Sequence, residues 1–213
     1  MPATLVPAGK GGSEAMDDRR PLTAEEQEKV RFWVDALLRE SNPERAAHEL
    51  FAIGVRTRGA VRTRGSVSRA ASSRFPTDTD AKRILELFQG DISPTLRSAV
   101  AGALAEMGGQ EVIPVLKRLA IGTERDADAG VRAAALDAIG IIGGPDALAA
   151  LETAAESDPD PTVQSVAVGL IASLGEREHG PAVETLQRLA QKLPEGAVHE
   201  RIAIALRTLS HQK

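Results

Sequence analysis

Four stretches in the second half of the chain share one apolar rhythm. Residues 96–108, 131–143, 163–175 and 198–210 align without gaps, their ends 35, 32 and 35 residues apart. Apolar side chains recur at offsets 0, 4, 7, 8 and 11: Leu96, Val100, Ala103, Leu104 and Met107 in the first, Val131, Ala135, Ala138, Ile139 and Ile142 in the second. Those offsets trace one face of an α-helix and do not fit the two-residue period of a strand. Shorter amphipathic segments at 111–120, 146–155 and 182–193 lie between them. The unit is a helical hairpin of about 34 residues, a length found among helical repeat proteins. One such hairpin cannot bury its apolar face alone, so the units must stack. Gly108, Gly143 and Gly175 follow the last periodic residue of three copies, which predicts left-handed helix C-caps. Asp91, Asp126 and Asp158 stand six residues ahead of Arg97, Arg132 and Gln164. This spacing predicts an Asp–Arg ladder that ties consecutive units and caps helix starts.

The N-terminal part reads as one degenerate unit. Thr23 followed by Glu26 is a capping box that opens a helix running to about residue 40. Its apolar stripe contains Val30, Trp33, Val34, Leu37 and Leu38, as suits an element closing the end of a stack. Ser41 with Glu44 forms a second capping box, and ERAAHELFAIG at 44–54 repeats the second-helix cadence, with Gly54 as its C-cap. From Gly54 to Gly108 is 54 residues, one unit and a surplus of about 20. The surplus begins with VRTRGAVRTRGSVSRAASSR at 55–74, in which Val-Arg-Thr-Arg-Gly occurs twice, six positions apart. The expected organisation is a disordered tail at 1–20, rich in Gly, Ala and Pro, then a repeat domain at 21–213 with a basic loop inserted at about 55–78.

The VRAAALDAIGIIGG cadence at 131–144, with its Asp-to-Arg spacing, resembles HEAT repeats. It is most similar to the short bacterial HEAT-like type found in phycobilin lyase subunits, and the resemblance covers residues 80–213. It implies an all-α fold, an α-solenoid of about five HEAT-like hairpins wound as a right-handed superhelix. It implies no one function, because sites are grafted onto folds.

Composition narrows the chemistry. Apolar residues make up 42% of the chain but aromatics only 2%, so the core is built from Ala, Leu, Val and Ile. There is no cysteine, which removes disulfides and thiolate sites. No apolar run approaches the length needed to span a membrane, and the first residues lack the apolar core of a signal peptide. A cytoplasmic protein with no membrane contact is expected. The net charge of −4 is segregated: residues 1–54 carry 7 basic and 10 acidic side chains, 55–83 carry 8 and 2, and 84–213 carry 11 and 18. An acidic array argues against nucleic acid except through the basic loop. There Arg56, Arg58, Arg62, Arg64, Arg69 and Arg74 form a candidate anion-binding loop. The competing reading is a tolerated surface insertion, and Arg69 with Ser72 also has the spacing of a phosphorylation target.

His48-Glu49 and His199-Glu200 are the only pairs that suggest a metal, and Val-His-Glu at 198–200 is similar to the di-iron motif of deoxyhypusine hydroxylase. The intervening units depart from it with Arg97-Ser98, Arg132-Ala133 and Gln164-Ser165. No metal, cofactor or catalytic residue is therefore expected. No glycine-rich phosphate fingerprint or nucleophile elbow is present. If the second helices line the inside of the stack, Ser98, Ala101, Ala105, Leu136, Gly140, Ser165 and Val168 offer a concave strip of small and apolar side chains for a protein partner. The expectation is a noncatalytic scaffold that binds a protein partner through that strip. A lyase-type or other enzyme subunit acting on a partner protein, and phosphate or nucleic-acid contact through the arginine loop, remain open alternatives.

Overall fold

The computed structural model describes residues 22–39, 43–57, 83–84, 86–87, 92–175 and 179–211. Nine α-helices and no strand occur among the described residues: α1 (Ala24–Leu38), α2 (Pro43–Thr57), α3 (Pro94–Met107), α4 (Ile113–Ala120), α5 (Ala129–Ile142), α6 (Pro145–Ser157), α7 (Pro161–Gly175), α8 (His179–Lys192) and α9 (Ala197–Ser210). Arg83, Ile84, Glu86 and Leu87 are also helical and precede α3 in the chain. The helices form an all-α solenoid. The first helices of the hairpins are α1, α4, α6 and α8, and the second helices are α2, α3, α5, α7 and α9.

Local signals start the helices where the sequence places them. Thr23 and Glu26 form the capping box of α1, with Thr23 N–H donating to Glu26 Oε2 at 2.8 Å. Ser93 caps α3 by accepting from Leu96 N–H at 3.1 Å, and Asp128 caps α5 by accepting from Val131 N–H at 3.0 Å. Pro43, Pro94, Pro145 and Pro161 occupy the first helical position, where a missing N–H costs nothing. Ser41 lies outside the described residues.

Each second helix packs against the next, α2 on α3, α3 on α5, α5 on α7 and α7 on α9, in one unbroken row. The periodic apolar columns form the core, with Val100, Leu104, Met107, Ala135, Ile139, Ile142, Ala167, Ile171, Ile202 and Leu209 all buried. The first helices pack on their own partners and touch one another less, α4 with α6 and α6 with α8. The second helices form the more closely packed row, the inner row, and the first helices the outer row.

Two expectations change here. Gly54 does not end α2, because the helix continues to Thr57. A Cβ on Gly54 would stand 2.3 Å from Glu106 Cβ on α3, so this glycine is required by the approach of two helices. Val55, Arg56 and Thr57 therefore belong to α2, and the insertion begins later than residue 55. Among the predicted C-caps only Gly143 has a positive φ, at 73°, and its ψ of −163° is outside the left-handed helical region. Gly108 is extended at φ −78° and ψ 168°, and Gly175 is still helical, packed against Leu209 and Ala182.

Candidate functional site

The ladder spans the start of three second helices. Arg97 Nε lies 2.6 Å from Asp126 Oδ2, and its Nη1 donates to the Ile92 carbonyl of its own loop. Arg132 makes a two-pronged contact with Asp158, Nε to Oδ2 at 2.9 Å and Nη2 to Oδ1 at 2.8 Å. Its Nη1 donates to the carbonyls of Asp126 and Ala127. Each arginine therefore bonds the loop of its own hairpin and the aspartate of the next. Hydrogen bonding to the Asp158 carboxylate raises the Arg132 pKa above its ordinary value, against the opposing effect of burial. Gln164 replaces arginine in the fourth hairpin and donates to the Asp158 carbonyl at 2.9 Å. Asp91 lies outside the described residues.

A second signal in these loops was less visible in the sequence. Asp126 accepts from the N–H of Asp128 at 3.0 Å, and Asp158 from that of Asp160 at 2.9 Å. Asp160 in turn accepts from Thr162 N–H at 2.7 Å, and this backbone donor lowers its pKa. The Asp-x-Asp spacing thus divides the work. The first aspartate holds the preceding hairpin, and the second holds the start of the following helix.

The seven residues assigned to the concave strip divide into two groups. Ala101, Ala105, Leu136, Gly140 and Val168 are buried in the contact between successive second helices, not on a surface. Leu170 of α7 fills the space beside Gly140, 3.1 Å from where a Cβ would stand. The physical reason is helical phase: Ala101, Leu136 and Val168 lie five residues after the first column, the side that faces the next helix. The corresponding Ala203 of α9 has no following hairpin among the described residues and is exposed. One residue further on, a rotation of about 100°, are Gly102, Asp137, Gly169 and Ile204, all reachable by solvent. Ser98 and Ser165 are half-buried along the same edge.

Asp137 is the exposed charged side chain of the central second helices α3, α5 and α7; Arg97 is half-buried in the ladder, and Glu106 and Arg132 are buried. Partial loss of water to its neighbours raises the Asp137 pKa, and no cation among the described residues acts on it. The residue was absent from the sequence-based strip, although it is the only acidic residue in an otherwise small or apolar column.

Arg56 is exposed in the last turn of α2. Arg58, Arg62, Arg64, Arg69 and Arg74 lie outside the described residues. His48-Glu49 and His199-Glu200 sit on the first and last second helices, with α3, α5 and α7 between them. His199 holds the ladder position of the last hairpin, and its buried Nδ1 has no hydrogen-bond partner among the described residues. No group of three or more His, Asp or Glu side chains that could hold a metal ion occurs among the described residues.

With the hairpins, ladder and stacked core in view, the comparisons agree with the architecture. Residues 81–172 match the family model for HEAT repeats. The match covers the ladder from Arg97 to Gln164 and the helices α3 to α6 with most of α7. No curated protein and no solved structure matches the chain at a significant level. None of the described helices is long and apolar enough to cross a membrane.

Proposed function

We propose that this HEAT-like array is a noncatalytic cytoplasmic scaffold that holds a protein partner along the exposed edge of its second helices. The observation that carries the reading is the character of that edge. Across α3, α5 and α7 it offers Ser98, Gly102, Ala133, Ser165 and Gly169 around a single carboxylate, a shallow strip into which another chain can lie. Stacked repeats commonly present such extended surfaces. The ladder spends the arginines internally, so they hold the scaffold rather than a ligand.

The test is affinity capture from the native host with the wild type and a Ser98→Arg/Ser165→Arg variant. A partner kept by the wild type and lost by the folded variant supports the reading. A partner held equally by both moves binding off this face. A second reading rests on the charge segregation: the 8 basic and 2 acidic residues of 55–83 suit contact with phosphate or nucleic acid. Deleting residues 58–73 would then abolish a salt-sensitive affinity that the Ser98 and Ser165 substitutions leave intact. The lyase-type alternative rests on the cadence at 131–144, and transfer of a prosthetic group to a partner protein would decide for it.

A further inference from the structure

Asp137 and Arg201, on neighbouring parts of the second-helix row, have no partner among the described residues. Asp137 makes no hydrogen bond or ion pair among the described residues, although Arg97 and Arg132 of the same helix row pair with Asp126 and Asp158 of the loops. Arg201 on α9 is exposed and likewise unpaired, and its Nη2 lies 3.4 Å from where a Cβ on Gly169 would stand. The guanidinium therefore reaches back over α7. Asp137 is on α5, and the positions beside it in the same register are Gly102 on α3 and Gly169 on α7. Neither position carries a side chain of its own: the Phe51 ring of α2 lies 3.7 Å from where a Cβ on Gly102 would stand, and the Arg201 guanidinium lies over Gly169.

Neighbouring helices pack about 8–10 Å apart, and an extended chain advances about 3.3 Å per residue. One helix spacing thus falls between about two and four residues of an extended strand lying across the row, the even separations that turn both side chains to one face. A carboxylate whose solvation is reduced by its surroundings, with no protein cation near it, gains most from a cation brought by a partner.

We infer that Asp137 and Arg201 are the two poles of a peptide-recognition site, which takes an extended segment of a partner protein carrying a lysine or arginine and, about two or four residues away on the same face of the strand, an aspartate or glutamate. The cationic side chain meets Asp137, and the acidic one meets the Arg201 guanidinium where it lies over Gly169. This rests on the scaffold reading and names the chemistry of its partner. The net acidity of residues 84–213, with 11 basic and 18 acidic side chains, adds attraction for the cationic end.

The experiment uses the full chain and a phage-displayed library of random 12-residue peptides, with the best peptide resynthesised for fluorescence-polarisation binding. The expected result is enrichment of peptides with opposite charges about two or four residues apart. Asp137→Asn and Arg201→Gln should each weaken binding by about tenfold or more, with helicity unchanged and Tm shifted by no more than about 2 °C. Exchanging the two charges in the peptide should also abolish binding. Enriched peptides without this charge pair, or binding indifferent to Asp137→Asn, overturn the inference. If such peptides are still lost on Gly102→Leu or Gly169→Leu, each checked for native helicity, the scaffold reading survives it. No enrichment over the unselected library, or binding indifferent to all four substitutions, overturns both.

Discussion

Both rows of helices are tied from hairpin to hairpin by ion pairs, but the ties differ in what surrounds them. In the inner row the Arg132 and Asp158 side chains are 4% and 1% exposed and fill each other's hydrogen-bonding sites. In the outer row Arg188 reaches Glu152 and Lys192 reaches Glu156, but the cations are 56% and 64% exposed. A buried pair is costly to break because the remaining charge has no water. An exposed pair exchanges one solvated state for another and is screened by salt. The difference extends to packing. Gly54, Gly140 and Gly175 let second helices meet closely, whereas no described atom lies within 4 Å of a Cβ placed on Gly180 of α8. The inner row sets the register of the stack, and the outer row follows it.

The largest expected effect comes from breaking the inner tie. Arg132→Ala leaves Asp158 buried and uncompensated and should cost about 3–5 kcal/mol, measured by urea unfolding. High salt should not restore it. A cost equal to that of an exposed pair would mean that the rung carries no structural weight.

The same glycine substitution should then have opposite signs in the two rows. Gly54→Ala drives a Cβ into Glu106 and should destabilise by about 1–3 kcal/mol, less the gain in helix propensity. Gly180→Ala meets no described neighbour and should stabilise by up to about 1 kcal/mol. Thermal melts of the two variants against the wild type decide it, and equal signs would erase the contrast.

Removing the outer ties is a smaller change. Arg188→Gln with Lys192→Gln should lower Tm by no more than about 2 °C. The shift should vanish at about 0.5 M salt, where charges are screened within a few ångströms.

The smallest effect has a predicted pH dependence. Burial raises the Asp137 pKa in the folded chain, so ionisation opposes folding. Its neutral form favours the folded state fully below the unfolded pKa, and that advantage is lost as pH rises through the folded pKa. Asp137→Asn should therefore be slightly more stable than wild type at pH 7, within about 0.5 kcal/mol. The difference should shrink as pH falls through the carboxylate range. A difference that grows on acidification would reverse the assignment.

The existence of the helices and their pairing could be read from the chain, because they depend on short-range physics: the 3.6-residue period of the apolar columns and Thr23 with Glu26 at a helix start. The ladder was legible in its residue types alone: Arg132 pairs with Asp158 of the next hairpin rather than with Asp126 six residues before it, and Asp128 rather than Asp126 caps α5. What could not be read locally was the rotation of each second helix about its axis. Ala101 and Gly102 are both small, and composition does not distinguish a residue that faces the next helix from one that faces solvent. Packing of α3 on α5 buries the first and leaves the second accessible. Gly54 shows the same limit, since a helix-ending glycine and a close-packing glycine are identical until Glu106 is brought against it. Asp137 stood in the sequence as an acidic residue in an apolar helix, but its isolation depends on Gly102 and Gly169 of neighbouring hairpins. Periodicity within one segment determined the elements of this protein. Contacts between segments about 35 residues apart decided which face of each element is buried, because only the neighbouring hairpin excludes water from it.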